Sequence, residues 1–308
     1  MQVAAWLARL GVFAIALVLV AGWFGALHPA LDSFSHFRVQ LLIGLGLAIG
    51  LAVIVRAGRV AITGAMIAIV TLYLSVPHLP TMGGAASTAA SIKLLQFNVY
   101  FKNRDLALAQ ETLAESPADF IVLQEVTART SVVLEAVKAS HPHQISCRFG
   151  GVGSVAIASR HPVTAGTKPD CARAYGFASA RFDVNGKQIT VASFHSYWPW
   201  PHRQPSQISV LAERFDGLSH PLILAGDFNA APWSNATKRV AKLSGTRIAP
   251  GLVISWAPFL IDANALPFLG LAIDQTLYSP ELSLLSRRAL QQAGSDHLPI
   301  VSEFSWNE

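Results

Sequence analysis

The hydrophobic pattern changes character along the chain. Residues 12–27, 39–55 and 60–76 are nearly uninterrupted apolar runs, each close to the roughly 20 residues with which a helix crosses about 30 Å of hydrocarbon. They predict about three transmembrane helices in an N-terminal membrane region over residues 1–80. Trp6, Trp23, Tyr73, His28 and His36 fall near the ends of these runs, where amphipathic rings favour the interface with water. A cleaved signal peptide is the alternative for the first run, and the two runs that follow it argue against that reading. Residues 77–91 are rich in Pro, Gly, Ala, Ser and Thr and read as a flexible tether, with 81–91 as the linker proper.

From residue 92 to 308 the pattern is that of a globular domain. Strands are predicted over 92–99, 120–124, 154–159, 221–225, 275–278 and 300–304, and helices over 106–115, 131–139 and 204–218. Asn185-Gly186, between apolar stretches at 176–184 and 188–194, predicts a tight β-hairpin. Strands flanked by helices, with at least one antiparallel pair, imply a mixed, layered α/β fold.

Charge sharpens this division. Only 13% of the 308 residues are charged, and Arg9, Asp32, Arg38, Arg56 and Arg59 are the only charged side chains in the first 80. With Arg9, Arg56 and Arg59 on the cytoplasmic side, the N-terminus lies inside and the large domain outside. Of the 23 Lys and Arg, 19 fall in residues 91–308 against 17 Asp and Glu, which is not the basic balance nucleic-acid binding usually draws on. Lys102 with Arg104, and Arg287 with Arg288, are the local candidates for a basic patch, and solvated surface charge is their simpler reading. Cys147 and Cys171, the only cysteines, are either a disulfide formed in an oxidising compartment or two separate buried thiols.

Polar groups interrupt the apolar segments of the large domain at particular points. Asn98, Glu125, His195, Asp227, Asn229, Asp274, Asp296 and His297 lie at or near segment ends. A carboxylate there is costly unless paired or bound to a metal. Carboxylates, amides and imidazoles together supply what phosphate-ester hydrolysis needs: neutralised oxygens, an activated water and a stabilised leaving group. Asn229 shares a face with Asp227 if the strand continues, whereas a turn is the alternative, since both residue types favour turns.

The ordered set Leu-Leu-Gln-Phe-Asn-Val ending at Val99, Ile-Val-Leu-Gln-Glu-Val around Glu125, His195, Gly-Asp-Phe-Asn at 226–229, Ile-Asp at 273–274 and Ser-Asp-His-Leu-Pro at 295–299 resembles the endonuclease/exonuclease/phosphatase superfamily. The resemblance implies a four-layered α/β sandwich, two mixed β-sheets flanked by helices, with the site at the top between the sheets. It also implies a divalent cation, usually magnesium with manganese as the substitute, and the oxygen-rich residue set favours such a hard ion independently. On this resemblance Glu125 is the main metal ligand, with Asn98 and Asp296 beside it. Asp227 orients or deprotonates the attacking water or holds a second metal, and Asn229 donates to the phosphoryl oxygen. His297, oriented by Asp274, contacts the phosphoryl group or protonates the leaving oxygen, and His195 is a further phosphate contact.

One feature departs from the nuclease branch: no catalytic tyrosine or acid is assignable in mid-domain, where residues 150–154 are glycine-rich. The chain is therefore more similar to the phosphatase and sphingomyelinase branches. Residues 197–203, with Trp198 and Trp200, are expected to overhang the site and suit a membrane interface, a stacked base or simple packing. Membrane-anchored bacterial members share this plan. They imply a multi-pass protein of the cytoplasmic membrane with an extracytoplasmic domain, whose partners are the lipid bilayer and a phospholipid or polyprenyl diphosphate substrate. A tethered nuclease acting on DNA is the second reading, and a noncatalytic receptor for a phosphorylated ligand the third.

Overall fold

The computed structural model describes residues 2–79, 91–258 and 267–307. Two six-stranded mixed sheets form the body of the protein. Sheet one contains β1 (Ser91–Asn98), β2 (Phe120–Val126), β3 (His143–Arg148), β4 (Ser154–Ser159), β11 (Leu282–Ala289) and β12 (Ile300–Trp306), in the order β11-β12-β1-β2-β4-β3. Sheet two contains β5 (Asp170–Ala172), β6 (Phe177–Val184), β7 (Lys187–His195), β8 (Leu222–Asp227), β9 (Arg247–Ile248) and β10 (Asp274–Tyr278), in the order β5-β6-β7-β8-β10-β9. Each sheet has one parallel pair at its centre, β1 with β2 and β7 with β8, and antiparallel neighbours elsewhere.

The period-2 alternation of strands sorts each central strand into two faces. Ile92 and Leu94, Phe120 and Val122, Ile189 and Val191, and Ile223 and Ala225 meet in the core between the sheets. Leu95, Phe97, Ile121 and Leu123 face outward and are covered by α5 (Leu106–Ala114) and α6 (Val132–Ala136) through Ala109, Leu113, Val133 and Leu134. Ala192, Phe194, Leu222 and Leu224 are covered by α7 (Gln204–Val210), α8 (Ala212–Asp216) and α9 (Asn235–Leu243) through Ile208, Phe215 and Val240. These strands are buried on both faces and read as near-continuous apolar runs. The four layers are the expected sandwich.

The hairpin turn falls at Asn185-Gly186, with Val184 opposite Lys187 and both turn residues at positive φ, as a type I′ turn requires. Helix 204–218 is divided into α7 and α8. Cys147 on β3 and Cys171 on β5 form a disulfide across the edges of the two sheets. Closing a loop with a sequence separation of 24 stabilises by about 3 kcal/mol in the chain-entropy model. Reduction is accordingly expected to lower the melting temperature by roughly 5–10 °C. Equal melting curves with and without dithiothreitol would show that the bond contributes nothing.

The N-terminal region differs from expectation. Its apolar runs form α1 (Gln2–Trp23), α3 (Arg38–Ile54) and α4 (Gly58–Tyr73), with a short α2 (Pro29–Ser35) inserted before α3. Among the described residues only α1, with 22, is long and apolar enough by itself to cross a membrane. Helix α3 has 17 residues and passes the same test only if joined to α2 across a 65° bend, and α4 has 16. At 1.5 Å per residue these reach only about 25 Å. The expectation of about three spans is therefore corrected to one candidate among the described residues, or two if α2 and α3 make one bent span, because the runs on either side of Arg56 and Arg59 break at a turn before reaching spanning length. The helices pack through Val12, Leu19 and Leu45 and through small residues such as Ala8, Ala52 and Ala61.

Helix α2 is bonded to the sandwich. The Asp32 carboxylate accepts from Asn235 N at 2.7 Å and Ala236 N at 2.9 Å, which satisfies first-turn amides of α9 alongside its own cap, Ser234. Trp233 Nε1 donates to Ser35 O, and Ala231 N to His36 Nδ1. The expected linker over 81–91 lies, apart from Ser91, outside the described residues.

Candidate active site

Following each inner row of side chains to the strand end leads to the site. The row Ile92, Leu94 continues as Gln96 and Asn98; Phe120, Val122 as Gln124; Ile189, Val191 as Ser193 and His195; Ile223, Ala225 as Asp227. The alternation that builds the core thus delivers polar groups to its upper rim. Glu125 is the exception, since strict alternation would send it outward. A bulge in β2 between Leu123 and Val126, with Glu125 at φ 62°, turns it back toward the site. Such a left-handed backbone is strained for a non-glycine residue.

Asn98 Nδ2 bridges two carboxylates, donating to Glu125 Oε1 at 3.2 Å and Asp227 Oδ2 at 3.0 Å. Its oxygen instead accepts from Tyr100 N. Glu125 Oε2 accepts from Phe101 N. His195 Nε2 lies 3.4 Å from Asp227 Oδ2 and 4.0 Å from Glu125 Oε1. His297 Nδ1 is 2.7 Å from Asp274 Oδ2, and its Nε2 is 3.7 Å from Asp227 Oδ2.

The strand carrying Asp227 ends at that residue, so Asn229 reaches the site through a turn: its N–H donates to Asp227 Oδ1, with Asn229 at φ 46°. Of the two readings of this pair, the turn is the one the chain adopts. Asn229 Nδ2 is occupied by Ser196 O. Gly226 is required here, because a Cβ would lie 1.9 Å from Phe194 O.

Burial and field act together on the titrating groups. Burial disfavours a charged Asp227, but His297, His195 and the Asn229 N–H outweigh it and hold the carboxyl below its ordinary value. Burial likewise opposes a charged His297, yet Asp274 and Asp227 push it up to about 10. Asp296 is pushed up by burial first, with Asp227 adding to the effect against His297 and the Trp256 Nε1 hydrogen bond.

Four carboxylates, Glu125, Asp227, Asp274 and Asp296, surround two imidazoles in this cluster, an excess of anionic oxygen that suits a divalent cation. Asp227, Asp274 and His297 have ligand atoms mutually within 4.8 Å. Asp274 is nonetheless committed elsewhere: Oδ1 accepts from Gln96 Nε2 and Oδ2 from Ser255 Oγ as well as His297. The carboxylates left with capacity for a cation are Glu125, Asp227 and Asp296. Asn98 would join them only with its amide turned to present oxygen.

Gln96, Gln124, Ser193 and Ser255 form a buried polar network under the site, with Gln96 Nε2 also donating to Gln124 Oε1 and Gln124 Nε2 to Ser193 Oγ. Sequence reasoning assigned them no role, although Gln96 and Gln124 stand in the same inner rows as the core residues. Arg287 is used internally, donating to Gly251 O and Asp274 O, so it does not form a basic patch with Arg288. Phe149 of the glycine-rich region packs edge-on against His195 at 5.1 Å.

Two mixed sheets with a carboxylate and imidazole cluster at their common rim define a metal-assisted hydrolase of phosphate esters. The chain belongs to the endonuclease/exonuclease/phosphatase family, whose model matches residues 95–297. Members of this family are divalent-metal-dependent hydrolases of phosphate ester bonds, nucleases and phosphatases among them. The chain is similar to a UPF0294 protein of Vibrio parahaemolyticus, 25% identical over 228 residues that cover 70% of this chain and 79% of the relative. In structure it resembles TDP2 of D. rerio complexed with a single-strand DNA product (TM-score 0.56, 16% identity, 70% of this chain and 99% of that one). It also resembles a beta toxin mutant of Staphylococcus aureus with bound magnesium ions (TM-score 0.50, 15% identity, 69% and 99%).

Proposed function

We propose that this protein is a membrane-anchored, magnesium-dependent phosphoesterase that hydrolyses a lipid-linked phosphate ester or diphosphate at the extracytoplasmic face. The observation that carries the lipid reading is the bonding of α2 to residues 231–236, the segment that directly follows Gly-Asp-Phe-Asn. It fixes the end of the apolar helix α1 beside the site. Half-exposed Trp198 and Trp200 stand at the same edge, as aromatic rings do at a bilayer interface. The disulfide supports an oxidising compartment, and Arg9, Arg56 and Arg59 lie at the opposite end of the helices from α2.

Glu125, with Asp227 and Asp296, would hold the cation, which supplies charge neutralisation at the phosphoryl oxygens and acidifies water. Asp227, ionised and accepting from Asn98 and Asn229, orients the attacking water and takes its proton. His297, held charged by Asp274, stabilises the negative charge of the transition state and gives its Nε2 proton to the leaving oxygen. His195 donates to the phosphoryl group.

The test is phosphate release by the full-length protein in detergent with magnesium, from polyprenyl diphosphate and from a phospholipid, beside plasmid nicking. Lipid turnover lost on Asp227→Ala, without nicking, is expected; nicking alone would overturn the lipid reading. Binding of the ion is read separately by melting. Magnesium at 10–100 times its dissociation constant should stabilise the EDTA-stripped protein by about 1–3 kcal/mol, and Glu125→Gln should abolish that gain.

A further inference from the structure

A cleft of about 250 Å³ opens between the α2–α3 junction and the loop that follows β7. Its apolar lining includes Phe37 of the junction, Trp198 and Trp200 of the loop, and Leu271 and Ile273. The junction and the loop are tied together by Ser33 Oγ donating to Trp200 O, and His28 packs edge-on against Trp200. At its inner end the cleft reaches Asn229, whose N–H is bonded to Asp227 Oδ1. One end of this apolar space is therefore the turn that carries the proposed water-activating carboxylate.

A polar group in the wall is left without a partner. His36 is 6% exposed and lines the cleft. Its Nδ1 accepts from Ala231 N at 3.1 Å, which places the ring proton on Nε2, and Nε2 has no hydrogen-bond partner. A buried donor is normally paired. Nε2 is itself buried, so this donor lies behind the cleft wall and not on its surface. Phe37 in the lining is itself an exposed apolar side chain, as are Phe34 before it in the chain and Phe268 and Leu269 just before the lining residue Leu271.

We propose that this cleft is the subsite for the lipid portion of the substrate. The first methylenes or isoprene unit lie between Phe37, Trp198 and Trp200, with the scissile phosphate toward Asn229. The cleft thereby selects phosphates and diphosphates that carry a hydrocarbon tail over tailless ones. This rests on the lipid phosphoesterase reading above and deepens it by naming residues that determine specificity.

The test compares farnesyl diphosphate in detergent micelles with ethyl diphosphate, on the full-length protein with magnesium. Two variants address the cleft: Phe37→Ala opens a wall and Leu271→Trp fills the space. The wild type should prefer the tailed substrate, and each variant should lower the ratio of kcat/KM for farnesyl over ethyl diphosphate at least tenfold, mainly through KM. Equal losses on both substrates, or a wild type without preference, would overturn the cleft assignment and leave the phosphoesterase reading standing. A wild type that nicks DNA and turns over neither diphosphate would overturn both.

Discussion

Asp227→Asn is expected to lower phosphoester turnover by roughly 10²–10⁴-fold, the range for loss of a positioned general base, with the fold retained. The carboxylate is 2% exposed and sits 3.4 Å from His195 Nε2 and 3.7 Å from His297 Nε2. Its lowered pKa means that it is fully ionised at neutral pH, ready to accept a proton without first losing one. Asn has the same shape and still accepts from Asn229 N through its oxygen, so the turn survives. Its amide nitrogen, however, would face Asn98 Nδ2 and the two imidazoles, donor against donor, and could not take a proton from water. The loss should appear in kcat at magnesium saturation, with melting shifted by no more than a few degrees. A variant within threefold of wild type would remove Asp227 from the chemistry.

The same residue shows where the sequence was readable. Asp227, His195 and Asn98 end inner rows of alternating strands, and the period-2 pattern that marks Ile223 and Ala225 as core extends directly to them. Gly226 was legible as part of the motif, but its necessity depends on how closely β7 and β8 approach. Glu125 shows the limit. Its position in the motif was visible, yet the alternation points it to the wrong face, and only the bulge with a left-handed backbone brings it back. Local propensity does not encode that choice, because the partner strand imposes it. Gln96 and Ser255 were missed as supports of Asp274, since their contacts join segments 178 and 19 residues apart. The docking of α2 was equally hidden. Asp32 reads as an isolated acid between apolar runs, and its partners, the α9 amides, are 203 and 204 residues away. Apolar character in residues 1–80 was clear, but helix length was not, because the chain turns at Arg56 and inserts a short helix at Pro29–Ser35.

Asp274→Asn is expected to lower turnover by about 10²–10³-fold, comparable with the loss of an electrostatic stabiliser, and to change the shape of the pH profile. Asp274 is fully buried and is positioned by Gln96, Ser255 and Arg287, so it acts on the substrate only through His297. Burial disfavours the imidazolium, and Asp274 is the largest influence opposing that effect, with Asp227 next. In the wild type His297 therefore stays charged until about pH 10. Its pKa is raised above the unfolded value of 6.5, so the stability it contributes is complete below pH 6.5 and is lost as pH rises through about 10. With Asn at position 274 burial regains the upper hand, and the imidazole should lose its proton at a lower pH. Activity of the variant should then decline with rising pH across the neutral range, where the wild type keeps this group charged. The tautomer is affected too, because Asn can accept from His297 Nδ1 only if its amide oxygen takes the place of Oδ2. A purely structural role for Asp274 would lower activity by the same factor at every pH between 6 and 9. Parallel profiles over that interval would reject the positioning role, whereas an acid-shifted decline in the variant alone would assign the proton on His297 Nε2 to the reaction.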